Sequence, residues 1–287
     1  MMRMISALLA SALAMSSAAC GKAADEQKQG TAKPAAATPA MSLTRLDCGH
    51  AEFKDMGAFF SDRPGVYPPG PGKVTDSCYL IRHGEQLMVW DTGLPAETKG
   101  KPMVENGMTA QIDRTLADQL QQLGVKSADV TVLGISHMHG DHVGQAAQFT
   151  NARLLIGKQD FAMLKGQPND SLKAWRGAGA KVTAVTADTD VFSDGSVVAL
   201  HLPGHTPDHL GLLVELKSGP VLLTGDLYHT TISREKRSLP GFNTSREQTL
   251  QSMDRFEGIA RKTGAKVIIQ HEPNDIGKLP PFPQAAE

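Results

Sequence analysis

Apolar residues recur along this chain in two rhythms. Cys78-Tyr79-Leu80-Ile81 and Leu87-Met88-Val89-Trp90 are short apolar runs on either side of the polar stretch His83-Gly84-Glu85-Gln86, a pattern that predicts two strands joined by a hairpin turn. Ile112, Leu116, Leu120 and Leu123 instead return at helical spacing and Gly124 closes the series, so a helix is expected over residues 111–123. Residues 130–136 form a continuous apolar run that fits a buried strand, and further strands are expected near residues 154–156, 197–202, 210–216, 220–224 and 266–270, with a helix near 246–261. Helices interspersed with many strands predict an α/β chain in layers, helices outside and sheets inside. Residues 52–60 and the Pro- and Gly-rich stretch 64–72 carry no clear period. Their Phe53, Met56 and Phe59 read equally as core or as a wall for an apolar ligand.

The N-terminus departs from both rhythms. Arg3 precedes a short apolar run that ends in Ser16-Ser17-Ala18-Ala19-Cys20, which has the form of a secretory signal peptide over residues 1–19 and is shorter than the roughly 20 residues a membrane span needs. Residues 20–41 are rich in Ala, Lys, Gln, Pro and Thr and read as a flexible tether. Cleavage before Cys20 resembles a lipoprotein signal, with Ser17 standing where that pattern carries Leu. An exported protein is expected, periplasmic, lipid-anchored through Cys20 or secreted. Residues 42–287 then form one globular domain.

Composition narrows the partners. With 29 basic against 30 acidic residues the net charge is −1, so no basic field draws the chain to nucleic acid. A small-molecule substrate is the expectation. Three cysteines, Cys20, Cys48 and Cys78, with no CxxC spacing, supply neither a disulfide scaffold nor a zinc knuckle. Cys48 and Cys78 read better as small core hydrophobes than as a bonded pair.

The chemistry is concentrated after the strand at residues 130–136, in His137-Met138-His139-Gly140-Asp141-His142. His137 and His139, two apart in an extended segment, point to one side, and Asp141 and His142 open the next helix. So many N and O donors in six positions are costly to bury without a cation. Three more candidates sit where strands end: His205 in Pro203-Gly204-His205, Asp226 in Thr224-Gly225-Asp226, and His271 after Gln270.

Taken in this order, these residues resemble the metallo-β-lactamase superfamily, whose HxHxDH motif and later His, Asp and His build a dinuclear site at one edge of an αββα sandwich. The resemblance runs from about Leu43 to the C-terminus. It implies that His137, His139 and His205 hold one metal ion, that Asp141, His142 and His271 hold a second, and that Asp226 bridges them. It further implies two Zn²⁺ ions per chain, a bridging hydroxide as nucleophile, and Asp141 or Asp226 as proton carrier. Asp91-Thr92-Gly93 matches another family element, in which the Asp orients a metal-binding His.

The stretches around residues 76–95 and 111–139 look most like the N-acyl-homoserine lactonases, which open the lactone ring of quorum-sensing signals. Other zinc esterases or organophosphate hydrolases of the fold, and a non-catalytic exported metal-binding domain, are the alternatives. Many lactonases carry Tyr three residues after the bridging Asp. Here that position is His229, expected to donate to the substrate carbonyl in its place, with Tyr228 one residue short.

Overall fold

The computed structural model describes residues 40–168 and 170–287. The expected signal peptide and nearly all of the tether lie outside the described residues.

Eight strands form the first sheet, in the order β4-β5-β1-β2-β3-β6-β7-β8. They are β1 (Met41–Phe53), β2 (Gly72–His83), β3 (Gln86–Trp90), β4 (Met103–Glu105), β5 (Met108–Gln111), β6 (Val132–Gly134), β7 (Arg153–Gly157) and β8 (Val182–Val185). The second sheet runs β13-β12-β11-β10-β9, from β9 (Thr189–Asp190), β10 (Val197–His201), β11 (Leu210–Val214), β12 (Val221–Leu223) and β13 (Lys266–Ile268). The principal helices are α1 (Met56–Phe60), α2 (Leu116–Gln122), α3 (Gly140–Val143), α4 (Lys158–Met163), α5 (Thr231–Lys236) and α6 (Arg246–Thr263).

Strand alternation divides the apolar residues into three layers. On β2 and β3, Cys78, Leu80 and Val89 face Leu116, Leu120 and Phe149 on the helical side, whereas Tyr79, Ile81, Met88 and Trp90 face Val197, Leu210, Leu212 and Leu223 of the second sheet. Beyond that sheet, Leu200, Leu202 and Leu222 pack on Met253 and Phe256 of α6. Helix, sheet, sheet, helix is the αββα sandwich expected, and central strands such as β3, β6 and β12 bury both faces because each face meets a layer.

Three local expectations are corrected. The helix begins at Leu116, not residue 111, because Met108–Gln111 pairs with β1 as β5; Ile112 is buried, but in a cluster with Phe53 and Leu94. The stretch 52–60 is regular: it ends β1 and then forms α1, whose Asp55 cap accepts from the amides of Gly57 and Ala58. A register shift between Asp47 and Gly49 breaks the alternation of β1 and hid it from a period-2 reading. Cys48 and Cys78, on neighbouring strands with Cα atoms 5.7 Å apart, form a disulfide. Pairing of β1 with β2 brings them together across 30 residues.

The sandwich matters for chemistry because of where its strands stop. β3 and β6 are parallel, as are β12 and β13, and β10 runs the same way as β12 through two antiparallel steps. The residues after all five strands therefore leave the two sheets at one edge.

Candidate metal centre

Each polar residue singled out from the sequence is delivered by one of those strand ends. Asp91 follows β3, His137 and His139 follow β6, and Asp141 and His142 lie on α3. His205, Asp226 and His271 follow β10, β12 and β13. The structure brings all seven proposed ligands into two adjacent groups, His137, His139, His205 and Asp226 in one and Asp141, His142 and His271 in the other, with donor atoms in each group within 4.8 Å of one another.

Asp226 joins the groups. Its Oδ2 lies 3.4 Å from His205 Nε2 and 3.6 Å from His137 Nε2. Its Oδ1 lies 2.9 Å from His271 Nε2 and 3.3 Å from His142 Nε2. Asp141 stands at the open side, 3.9 Å from both His142 Nε2 and His271 Nε2. The turn that aims Asp226 depends on Gly225, whose φ is +52° and where a Cβ would fall 2.6 Å from His209 Nε2.

The imidazoles are held from behind. His271 Nδ1 donates to the Thr75 carbonyl at 2.8 Å and His205 Nδ1 to Asn243 Oδ1 at 2.9 Å. His142 Nδ1 donates to Asp91 Oδ2 at 3.0 Å. With Nδ1 committed in each, Nε2 presents its lone pair to the centre. Asp91 is fully buried, accepts from the Ser136 amide and the Gln270 side chain as well, and sits at φ +59°. That left-handed conformation costs a side-chain-bearing residue about 1–3 kcal/mol, and three hydrogen bonds to one carboxylate hold it in place. Gly144 lets α3 rest directly on the loop after Asp91, since a Cβ there would meet the Gly93 carbonyl at 2.4 Å.

The electrostatics ask for positive charge. Burial alone would lower His142 and His271, yet Asp226 with Asp91 and Asp141 beside the first, and Asp226 with Asp76 and Asp141 beside the second, raise both, His271 to about 9. Burial lowers His137 and His139, reinforced by neighbouring histidines, so these stay neutral, His139 down to about 4. Burial would raise Asp226, but the charges of His271, His142, His229 and His137 hold it well below the usual carboxylate range. Asp226 Oδ1 makes no hydrogen bond despite its two close nitrogens.

An orphaned buried oxygen among inward-facing lone pairs fits a metal pair. Donors held about 2.0–2.2 Å from one tetrahedral ion lie roughly 3.3–3.6 Å apart, close to the separations around Asp226.

A family model, the metallo-β-lactamase superfamily, matches residues 71–271. The chain belongs to the metallo-β-lactamase superfamily. Within this superfamily it falls with the lactonase-like hydrolases. It is 29% identical over 213 residues to the N-acyl homoserine lactonase AttM of Azorhizobium caulinodans, covering 68% of this chain and 81% of that one. The AttM of Rhizobium radiobacter is 30% identical over 230 residues, 71% of this chain and 85% of the relative. Among solved structures, a quorum-quenching N-acyl homoserine lactone hydrolase superposes with a TM-score of 0.72 at 21% identity, over 86% of this chain and 98% of that one. The Bacillus thuringiensis lactonase AiiA, in a variant with N-decanoyl-L-homoserine bound at its active site, gives 0.72 at 22% identity over 86% and 99%. These two likenesses show a shared fold.

The structure also separates two neighbours that the sequence left close. His229 is buried in the site with Nε2 3.1 Å from Asp226 Oδ2. Tyr228 turns the other way, its ring against Phe256 and its hydroxyl donating to Glu257 at 3.1 Å. Sequence reasoning missed His209, which accepts from the Asp226 amide at 2.9 Å, and Asn243, Gln270 and Asp76. His209 lies four residues after His205, immediately before β11; a second histidine close after the first was the available signal.

Since Asp91 fixes His142 through one carboxylate oxygen, Asp91→Asn is expected to weaken divalent-ion binding about 10- to 100-fold. Competition against a chelator measures this. Wild-type affinity in Asp91→Asn would show that His142 is oriented by its neighbours alone.

Proposed function

We propose that this chain hydrolyses the lactone ring of N-acyl homoserine lactones in a metal-dependent reaction, and so quenches quorum signals. The observation that carries the reading is that the metal centre opens, through His139, Asp141, Asp226 and His271, onto an apolar-walled cleft of about 500 Å³. Phe53, Phe59, Phe60, Val74, Met103 and Met108 line one side of it, a surface suited to an acyl chain while the ring rests on the polar floor. The lactonase relatives support the same substrate class.

Two Zn²⁺ ions, held by His137, His139 and His205 and by Asp141, His142 and His271 with Asp226 between, would supply an acidified water and polarise the lactone carbonyl. The protein's own groups do the rest. Burial keeps His229 neutral, with Asp226 opposing, so its ring offers an N–H without adding charge. We assign that N–H to the carbonyl oxygen, where the hydrogen bond strengthens as negative charge develops. Asp141 is the proton carrier: its side chain is 39% exposed, against 4% for Asp226, which lies enclosed between the two donor groups. Its carboxylate takes the proton released on attack and returns it to the ring oxygen as the C–O bond breaks. One water is consumed and the open hydroxy acid leaves.

Export is part of the same reading. The apolar run over residues 1–19 precedes Cys20, and the Cys48–Cys78 disulfide belongs to an oxidising compartment. The intact mass of the mature chain, taken from soluble and membrane fractions, should place its start at Cys20 or later, with a lipid adduct if Cys20 is the anchor. A mature chain starting at Met1 would contradict export.

A substrate panel tests the activity. The zinc-loaded protein should open N-acyl homoserine lactones faster than it cleaves phosphotriesters or β-lactams, and His229→Ala should lower kcat on the order of 10²-fold with metal content unchanged. Tyr228→Phe should behave as wild type. Phosphotriester cleavage as the dominant activity would overturn the substrate assignment, and a full rate in His229→Ala would overturn the role of that residue.

A further inference from the structure

Asp76 lies on β2 with 3% of its surface exposed, and neither of its carboxylate oxygens has a hydrogen-bond partner among the described residues. A buried acceptor in that condition is expensive. Unlike the orphaned Asp226 oxygen, it is not placed among inward-facing imidazole nitrogens at ligand spacing: neither of the two donor groups includes it. Burial pushes its carboxyl up to about 8, against the opposing charges of His271 and His142.

Its position in the cleft is specific. Strand alternation puts Asp76 on the same face of β2 as Val74, which belongs to the apolar wall, and both line the cleft together with His271 of the polar floor. The residue opposite Asp76 on β1 is Gly49, so no side chain from the neighbouring strand covers it. Asp76 therefore stands where the apolar wall meets the floor. The other polar groups of the lining outside the donor groups are already engaged, Thr75 with Arg45 at 3.0 Å, His50 with Gln111 at 3.2 Å and Glu105 with Asn106 at 3.4 Å, or, like His229, already assigned to the lactone carbonyl.

An N-acyl homoserine lactone presents many acceptors and one donor, its amide N–H. That nitrogen is two bonds from the lactone carbonyl carbon, at the junction between ring and acyl chain. We propose that Asp76 is a specificity-determining residue that accepts the amide N–H of the substrate, selecting N-acyl-amino lactones over lactones that lack an amide. The inference rests on the lactonase reading and deepens it. A carboxyl oxygen accepts this hydrogen bond in either protonation state, so the assignment stands on placement and on the missing partner. With an alkyl lactone the buried oxygens stay unpaired, and the site discriminates by that penalty.

The test compares an N-acyl homoserine lactone with a 5-alkyl γ-lactone of matched chain length, on zinc-loaded wild type, Asp76→Ala and Asp76→Asn. The wild type should favour the amide-bearing substrate. In Asp76→Ala the ratio of kcat/KM between the two substrates should fall about 10- to 100-fold, chiefly through KM, with metal content unchanged. Asp76→Asn, which keeps an acceptor oxygen in nearly the same shape, should retain most of the ratio. An unchanged ratio in Asp76→Ala, or equal losses on both substrates, overturns this inference and leaves the lactonase reading in place. Wild-type protein that opens neither lactone overturns both.

Discussion

Everything at the working edge of this sandwich follows from burying the Asp226 carboxylate. Left alone in a site 4% exposed, it would be driven to its neutral form. Instead five histidines surround it, three beside Oδ2 and two beside Oδ1, and both oxygens face inward to the two donor groups. The arrangement requires four loops from two sheets to meet within a few ångströms. It is met because five strands end together and because Gly225 and Gly144 allow backbone contacts that a Cβ would block.

The residues behind the site bear the strain that this convergence creates. Asp91 takes a left-handed backbone so that one carboxylate holds the loop after β6, through the Ser136 amide, and the ring of His142. His209 holds the Asp226 amide in the same way. A rigid donor set on one side and a cleft walled by Phe and Met side chains on the other divide the substrate's chemistry between them. In the proposed reaction the floor would handle the ester bond and the wall the chain, with polar groups at their junction setting which lactones are accepted.

How much of this the sequence disclosed depended on range. The cluster from His137 to His142 is legible because its donors share six consecutive positions after an apolar run, and His205, Asp226 and His271 become legible by following strands of their own. Layers with helices outside and sheets inside are legible through the apolar runs of β2 and β3 and the helical spacing of α2, whereas the αββα order followed from the family resemblance. What depends on pairing between distant segments was not: the Cys48–Cys78 bond needs the register of β1 on β2, and the bulge at Asp47 to Gly49 conceals that register. Asp76 was passed over for the same reason, since nothing local marks an Asp in a strand as buried and unpartnered. The start of α2 was misplaced because Ile112 falls on its helical spacing while serving another cluster.

The central claim is that the seven donors form one paired centre with Asp226 shared between its halves. Elemental analysis across a titration of metal-free protein with Zn²⁺, alongside lactone opening at each point, tests it most directly. The account predicts saturation at two ions per chain with full activity only when both sites fill, and loss of both ions' tight binding in Asp226→Ala. Full activity at one ion per chain, with the second site never filling, would contradict it.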